Sequence, residues 1–125
     1  MARILIAEDE EALNAMCARG LTMDGHEVMT AADGSEALDV LTREEGRFDL
    51  LLTDIRMPIM DGIALALAAA RDFPTVTILL MTGYADQRER AAGLDALIHD
   101  VITKPFTLAT LRATVHEALT VKMRG

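Results

Sequence analysis

The sequence is poor in cysteine, and this shortage limits the chemistry available to it. Its one cysteine, Cys17, allows neither an intramolecular disulfide nor a cluster of cysteine metal ligands. The helical spacing of Cys17 from Leu13 and Met16 predicts a small buried hydrophobic residue rather than a reactive thiol.

Positive charge and long hydrophobic runs are scarce as well. Asp and Glu number 20 against 12 Lys and Arg, so the net charge is −8 at pH 7. This balance argues against nucleic acid as a partner, because nucleic acid binds basic surfaces, and against an anionic membrane surface. No apolar run is long enough for a signal peptide or a membrane span, so we expect a cytoplasmic protein.

The 125 residues are 51% hydrophobic, which suits one globular domain with a sizeable core. Apolar runs typical of buried strands alternate with stretches of helical periodicity. The predicted strands are 3–7, 27–31, an apolar run at 50–52 that ends on Asp54, 76–81 and 96–103. The predicted helices are 12–23, one that begins after 33–35, 63–73, 86–94 and one capped by Thr107, with a frayed tail from 120. This alternation predicts an α/β fold, a parallel sheet with helices on both faces.

One stretch, residues 48–58, organises the predicted fold. The leucines at 50–52 predict a strand buried on both faces, because the apolar run is continuous rather than alternating. Asp54 follows where the strand leaves the sheet, and open α/β sheets bind ligands beyond the carboxyl ends of their strands. Pro58 then predicts a tight loop before the next helix.

Chemically active side chains stand at the same end of four predicted strands: Glu8 and Asp9, Asp54, Thr82, and Lys104. Singly, each has an ordinary structural explanation, such as a helix-start acid or a surface lysine. Together, they indicate a site, since crowded carboxylates need a compensating cation and such oxygen ligands suit Mg²⁺. Lys104 would neutralise a phosphate, Thr82 would donate to a phosphoryl oxygen, and Asp54 would be the nucleophile that forms an acyl phosphate.

This combination resembles the receiver domain of two-component response regulators over nearly the whole chain. The matching motifs are Glu8-Asp9, Asp54 with Met57-Pro58 and Asp61-Gly62, Thr82, and Lys104-Pro105-Phe106. The resemblance implies a flavodoxin-like (CheY-like) doubly wound sheet of five parallel strands, order 2-1-3-4-5, with five helices. It implies that Asp54 is the phospho-acceptor, Thr82 the switch hydroxyl and Lys104 the phosphate contact. The Mg²⁺ ligands that it implies are Glu8, Asp9, Asp54 and the backbone carbonyl of Arg56.

The resemblance also implies a phosphate donor and an output surface. A histidine kinase or histidine phosphotransferase would supply the phosphoryl group, and the domain would catalyse only its own phosphorylation and dephosphorylation. The added negative charge would draw Thr82 inward and bias a two-state switch. The output would appear on the surface of the fourth strand, fourth helix and fifth strand, which includes Gln87, Arg88, Glu89, Arg90, His99 and Asp100. A solvated charged face is an equal interpretation, and we expect a monomer or a weak homodimer paired through this face.

Two features depart from the family pattern. Val101 stands three residues before the lysine, where the family usually has an aromatic switch residue, so Thr82 lacks its usual partner and Tyr84 is the alternative. Arg56 and Tyr84 each lie two residues after a site residue, and in the family these positions border the path of the hydrolytic water. Bulky groups there favour a long-lived acyl phosphate.

We expect one receiver domain over residues 1–125 that acts without an effector domain. The stretches 81–90 and 97–106 resemble, within the family, single-domain regulators of the alphaproteobacterial cell cycle. That resemblance implies control of the protease ClpXP through ClpX, placement at the cell pole, and silencing by phosphate.

Other functions stay open on the sequence alone. A chemotaxis-type regulator, which Val101 disfavours, and a phosphorelay intermediate are the alternatives within the family. A haloacid-dehalogenase phosphatase would have a second Asp where Arg56 stands. A flavodoxin-like flavoprotein would have a phosphate loop, and a dinucleotide enzyme a Gly-rich one, where this chain has the acidic residues 8–11.

Replacing the two bulky residues tests the expected slow loss of phosphate. Arg56→Asn combined with Tyr84→Ala should shorten the lifetime of the acyl phosphate, because water would then reach the phosphorus more easily. Phosphate release from the phosphorylated protein measures this lifetime. An unchanged half-life would count against the role assigned to these two positions.

Overall fold

In this computed structural model the described residues are 1–83 and 85–124, without the side chains of 85–88, 123 and 124. The elements are β1 (Arg3–Ala7), α1 (Glu11–Met23), β2 (Glu27–Ala31), α2 (Gly34–Arg43), β3 (Leu50–Asp54), α3 (Gly62–Asp72), β4 (Thr77–Thr82), α4 (Ala85–Ala92), β5 (Asp100–Thr103) and α5 (Leu108–Arg124). The strands form one parallel sheet of order β2-β1-β3-β4-β5. This confirms the predicted flavodoxin-like architecture.

The sheet separates two hydrophobic cores. Successive side chains of a strand point to opposite faces, so Ile4 and Ile6 pack with α1 and α5, whereas Leu5 packs with α2, α3 and α4. All five residues of β3 are buried, as expected for the central strand of a sheet covered on both sides. Cys17 belongs to α1 and points into the core with no exposed surface, which confirms the prediction of a buried hydrophobic residue.

The structure corrects three element ends in the second half of the chain. Strand β5 covers only Asp100–Thr103, because Leu97 and Ile98 donate their N–H groups to the Leu94 carbonyl and the chain turns there. The same turn ends α4 at Ala92 rather than at residue 94. Helix α5 continues to Arg124, so the frayed tail expected from residue 120 is wrong.

The loop between β3 and α3 folds back against the strand that it leaves. Asp61 caps α3 by accepting the Ala64 N–H at 2.9 Å. Gly62 donates its N–H to the Ile55 carbonyl at 2.7 Å. A Cβ atom at Gly62 would lie 1.9 Å from the Asp54 carbonyl oxygen, a distance that no side chain tolerates. Glycine at this position therefore lets the loop close over the end of β3.

Substituting this glycine tests that close approach. Gly62→Ala should destabilise the fold by about 3 kcal/mol, because the backbone around Asp54 must shift to admit a methyl group. Gly93→Ala is the matched control, since an added Cβ there would meet none of the described atoms within 4 Å. Urea unfolding of both variants measures the difference. Equal stability of the two variants would show that the loop does not pack as described.

Candidate functional site

Strand register brings the predicted site residues to one edge of the sheet. Asp54 pairs with Met81, and Thr82 pairs with Thr103, so β3, β4 and β5 end side by side. Lys104 follows directly after β5, and its N–H donates to the Thr82 carbonyl at 2.7 Å. The residues that follow β1 complete the edge: Glu8 and Asp9.

Lys104 joins two buried carboxylates at this edge. Its Nζ lies 2.9 Å from Glu8 Oε1 and 3.3 Å from Asp54 Oδ2. The second oxygens are held by the backbone: Glu8 Oε2 accepts the Glu10 N–H at 3.0 Å, and Asp54 Oδ1 accepts the Ile55 N–H at 2.9 Å. Glu8 is 1% exposed and Asp54 is 5% exposed, so water screens these charges poorly.

Burial dominates the acidity of the cluster. It raises the pKa of Glu8 to about 7, although the hydrogen bonds from Glu10 and Lys104 oppose the rise. Burial also raises the pKa of Asp54, against the attraction of Lys104 and the Ile55 N–H. For Lys104, burial acts to lower the pKa, but the contacts with the two carboxylates outweigh it and the pKa is raised. Burial therefore disfavours the ionised form of both acids, and the contacts with Lys104 offset this only in part.

The acidic residues fit a divalent cation. Carboxylate oxygens of Glu8, Asp9 and Asp54 lie within 4.8 Å of one another, and Asp9 is exposed at the rim. Hard oxygen donors and uncompensated negative charge are what Mg²⁺ requires. Arg56 lines the same cavity as these three acids. That its backbone carbonyl is a further ligand of the cation stays a prediction.

A cavity of about 630 Å³ opens above the cluster. Its acidic floor is flanked by Leu13 and Met16 of α1 on one side and by Pro105 and Phe106, after β5, on the other. Thr82 lies fully buried at the end of β4. Asp54 lines this cavity, so a ligand can approach its carboxylate from there.

Asn14 supports the site and was not singled out from the sequence. Its Nδ2 donates to the Glu8 carbonyl at 3.0 Å and to the Ala31 carbonyl at 3.1 Å. These bonds tie the turn after β1 to α1 and to the end of β2. The sequence signal that could have identified Asn14 is an amide side chain in the first turn of α1, shortly after the acidic pair Glu8 and Asp9.

The predicted output face is described only in part. Tyr84 and the side chains of Gln87 and Arg88 lie outside the described residues. Val101 is half-buried against the core under α4. Two further pairs occur near this face: Arg90 with Asp61 at 2.5 Å, and His99 with Glu117 at 2.7 Å. Glu89 and Asp100 are exposed.

The response regulator receiver domain family matches residues 4–116. The transcriptional regulatory protein PrrA of Mycobacterium tuberculosis is 38% identical over 117 residues, which are 94% of this chain and 49% of PrrA. A CheY-like receiver domain protein of Methanospirillum hungatei is 31% identical, with a TM-score of 0.90 over 99% of this chain and 98% of that one. The response regulator TrrA of Thermotoga maritima, solved in complex with Mg²⁺–BeF, is 28% identical, with a TM-score of 0.81 over 94% and 99%.

The chain belongs to the response regulator receiver domain family. It spans about half the length of the curated relatives that it matches. Within the described residues, no helix combines the length and the apolar character that crossing a bilayer requires.

The raised pKa of Glu8 predicts how stability depends on pH. Glu8 titrates near 4.5 when unfolded and near 7 when folded. The stability that the neutral form of Glu8 contributes to the folded state is fully present below pH 4.5. It is lost as the pH rises through about 7. In Mg²⁺-free buffer, Glu8→Gln should therefore match the wild type at low pH and exceed its stability by about 2–3 kcal/mol near pH 8, since one pKa unit corresponds to about 1.4 kcal/mol.

Denaturant unfolding across this pH range measures the difference, with the exposed Glu89→Gln as the control. The curves of the wild type and the control should stay parallel. A Glu8→Gln curve parallel to both would contradict the raised pKa.

Proposed function

We propose that this receiver domain is a phosphorylation-controlled protein-interaction switch whose acceptor is Asp54. The observation that carries the proposal is the contact of Lys104 with both buried carboxylates, Glu8 and Asp54. A lysine and two acids at a solvent-open strand edge provide a nucleophile and the means to compensate charge on a phosphoryl group. The partner that supplies the phosphoryl group is a histidine kinase or a histidine phosphotransferase.

The reaction is an in-line displacement at phosphorus. A carboxylate oxygen of Asp54 forms the new P–O bond while the P–N bond to the donor histidine breaks, and the leaving imidazole takes up a proton. The Ile55 N–H holds Asp54 Oδ1 and so orients the carboxylate. Lys104 neutralises charge on the transferred group, and it also favours the ionised, nucleophilic form of Asp54.

Glu8, Asp9 and Asp54 would hold Mg²⁺, which would supply charge neutralisation to the phosphoryl oxygens. The Mg²⁺–BeF complex of the relative TrrA supports this choice of cation. Thr82 would donate its hydroxyl to a phosphoryl oxygen and so link the state of Asp54 to β4 and to the segment after it. The domain would turn over no external substrate beyond its own phosphorylation and dephosphorylation.

At a finer level, we propose an output of the kind that the regulator CpdR exerts. Residues 81–90 and 97–106 support this, because their sequence resembles CpdR. In this proposal the unphosphorylated domain binds ClpX and primes ClpXP at the cell pole. Phosphate that arrives through the CckA–ChpT phosphorelay then weakens the contact. A phosphorelay intermediate and a chemotaxis-type regulator remain the alternatives among receivers that act alone.

A second candidate output is transcription. The curated relatives PrrA and TcrA are named transcriptional regulatory proteins, and this chain covers 49% and 43% of their length at 38% and 37% identity. Here the phosphorylated receiver would act on a DNA-binding partner or segment, rather than bind DNA through its own acidic surface. For this output, the expected active form would be two phosphorylated receivers that pair with each other.

Phosphorylation of Asp54 is the first test. Acetyl phosphate with Mg²⁺ should add one phosphoryl group to the wild type and none to Asp54→Asn, by intact-protein mass spectrometry. Asp39→Asn, which makes the same change at an exposed position of α2, should be labelled like the wild type. Labelling of Asp54→Asn, or labelling that persists in EDTA, would overturn the assignment of the acceptor or of the metal.

The finer output is tested with purified ClpX. The untreated wild type and Asp54→Ala should both bind ClpX, and loading the wild type with Mg²⁺ and beryllofluoride should weaken its binding at least tenfold. A pairing of receivers that appears only on loading, without any ClpX binding, would instead support the transcriptional output.

A further inference from the structure

An exposed apolar residue stands on the loop that closes over Asp54. Ile59 is 84% exposed, although it is a large hydrophobic side chain. Its neighbours are apolar too: Pro58 is exposed and Met60 is half-buried. Met60 packs against the core, so Pro58 and the large side chain of Ile59 are the neighbouring apolar residues that this loop leaves exposed.

The backbone at Ile59 does not favour isoleucine. Its φ of 68° lies in the left-handed region, where a β-branched residue is strained. The Met60 N–H donates to the Pro58 carbonyl at 2.8 Å, so Ile59 is the central residue of a γ-turn of the rarer, positive-φ form. Glycine or asparagine would suit this turn better. Neither the turn nor the core therefore accounts for the isoleucine side chain.

The position of Ile59 indicates what covers it. Ile59 is three residues from Gly62, so their Cα atoms lie within about 11 Å of each other. Gly62 itself packs against the Asp54 carbonyl. A protein that binds with Asp54 at the centre of its contact covers roughly 800 Å², a patch about 16 Å in radius. Such a protein reaches Ile59, whereas a small phosphate donor enters the cavity without reaching it.

We propose that Ile59 is an apolar docking contact for the histidine-bearing protein that delivers the phosphoryl group to Asp54. The inference rests on the proposed function, because it requires Asp54 to be the acceptor. Ile59 touches none of the reacting groups, so its effect is on the association with the donor protein and not on the chemical step. The isoleucine would therefore favour donors with a complementary apolar surface.

Two kinds of phosphate donor separate docking from chemistry. The protein donor is an autophosphorylated histidine kinase or phosphotransferase, chosen because it phosphorylates the purified wild-type chain; the small donor is acetyl phosphate. Ile59→Asn should lower kcat/KM with the protein donor about tenfold, mainly through KM. It should change the rate with acetyl phosphate less than twofold and leave the melting temperature equal or higher.

Leu67→Asn is the matched control, because Leu67 is an exposed leucine within α3. It should leave transfer from both donors within twofold of the wild type. Unchanged transfer from the protein donor to Ile59→Asn would overturn the inference, as would an equal loss with both donors or a failure of every purified protein donor to phosphorylate the wild type. A wild type that acetyl phosphate fails to label on Asp54 would instead refute the proposed function itself.

Discussion

The contact of one lysine with two buried carboxylates is the constraint on which the site depends. Lys104 follows the edge strand β5, while Glu8 and Asp54 belong to the ends of β1 and β3. Burial acts to neutralise both acids, and Lys104 acts to keep them ionised. The site therefore carries its charges at a cost in free energy, and a divalent cation bound to the same oxygens would relieve that cost. In the proposed function, this imbalance would couple the binding of Mg²⁺ to the phosphorylation of Asp54.

The fold serves this cluster through its backbone as much as through its side chains. N–H groups of Glu10 and Ile55 fix one oxygen of each buried acid, and Gly62 lets the loop after β3 close against Asp54. The same loop presents Ile59 to solvent and, through Asp61, contacts Arg90 of α4. The loop next to Asp54 thus carries the exposed Ile59 and is joined to α4 by the ion pair of Asp61 with Arg90.

Most of the architecture could be predicted from the sequence, because local patterns determine it. The continuous leucines at 50–52 specified a strand covered on both faces, and the alternation of strands and helices specified a parallel sheet. Strand β5 was predicted too long, because the apolar residues before it suggest a strand. In the structure, Ile98 is buried by a turn that precedes β5. Local patterns do not distinguish these two ways of burying the same residue.

The site residues were found because they follow strands in order, whereas their supports depend on contacts between distant segments. The bridge from Asn14 to Ala31 and the pair of Arg90 with Asp61 join residues that no local pattern relates. The left-handed backbone of Ile59 is likewise invisible in the sequence, since isoleucine does not signal positive φ. Sequence thus predicted the candidate reacting groups, and the structure was needed to show which contacts orient them.

The most direct test of the account is the titration of the Asp54 and Glu8 carboxyl carbons by ¹³C NMR, with and without Mg²⁺. The account predicts that both pKa values lie above the ordinary carboxylate range in metal-free buffer, and that Mg²⁺ lowers both. Ordinary pKa values that Mg²⁺ leaves unchanged would contradict it, because the two acids would then neither be strained by burial nor share a cation.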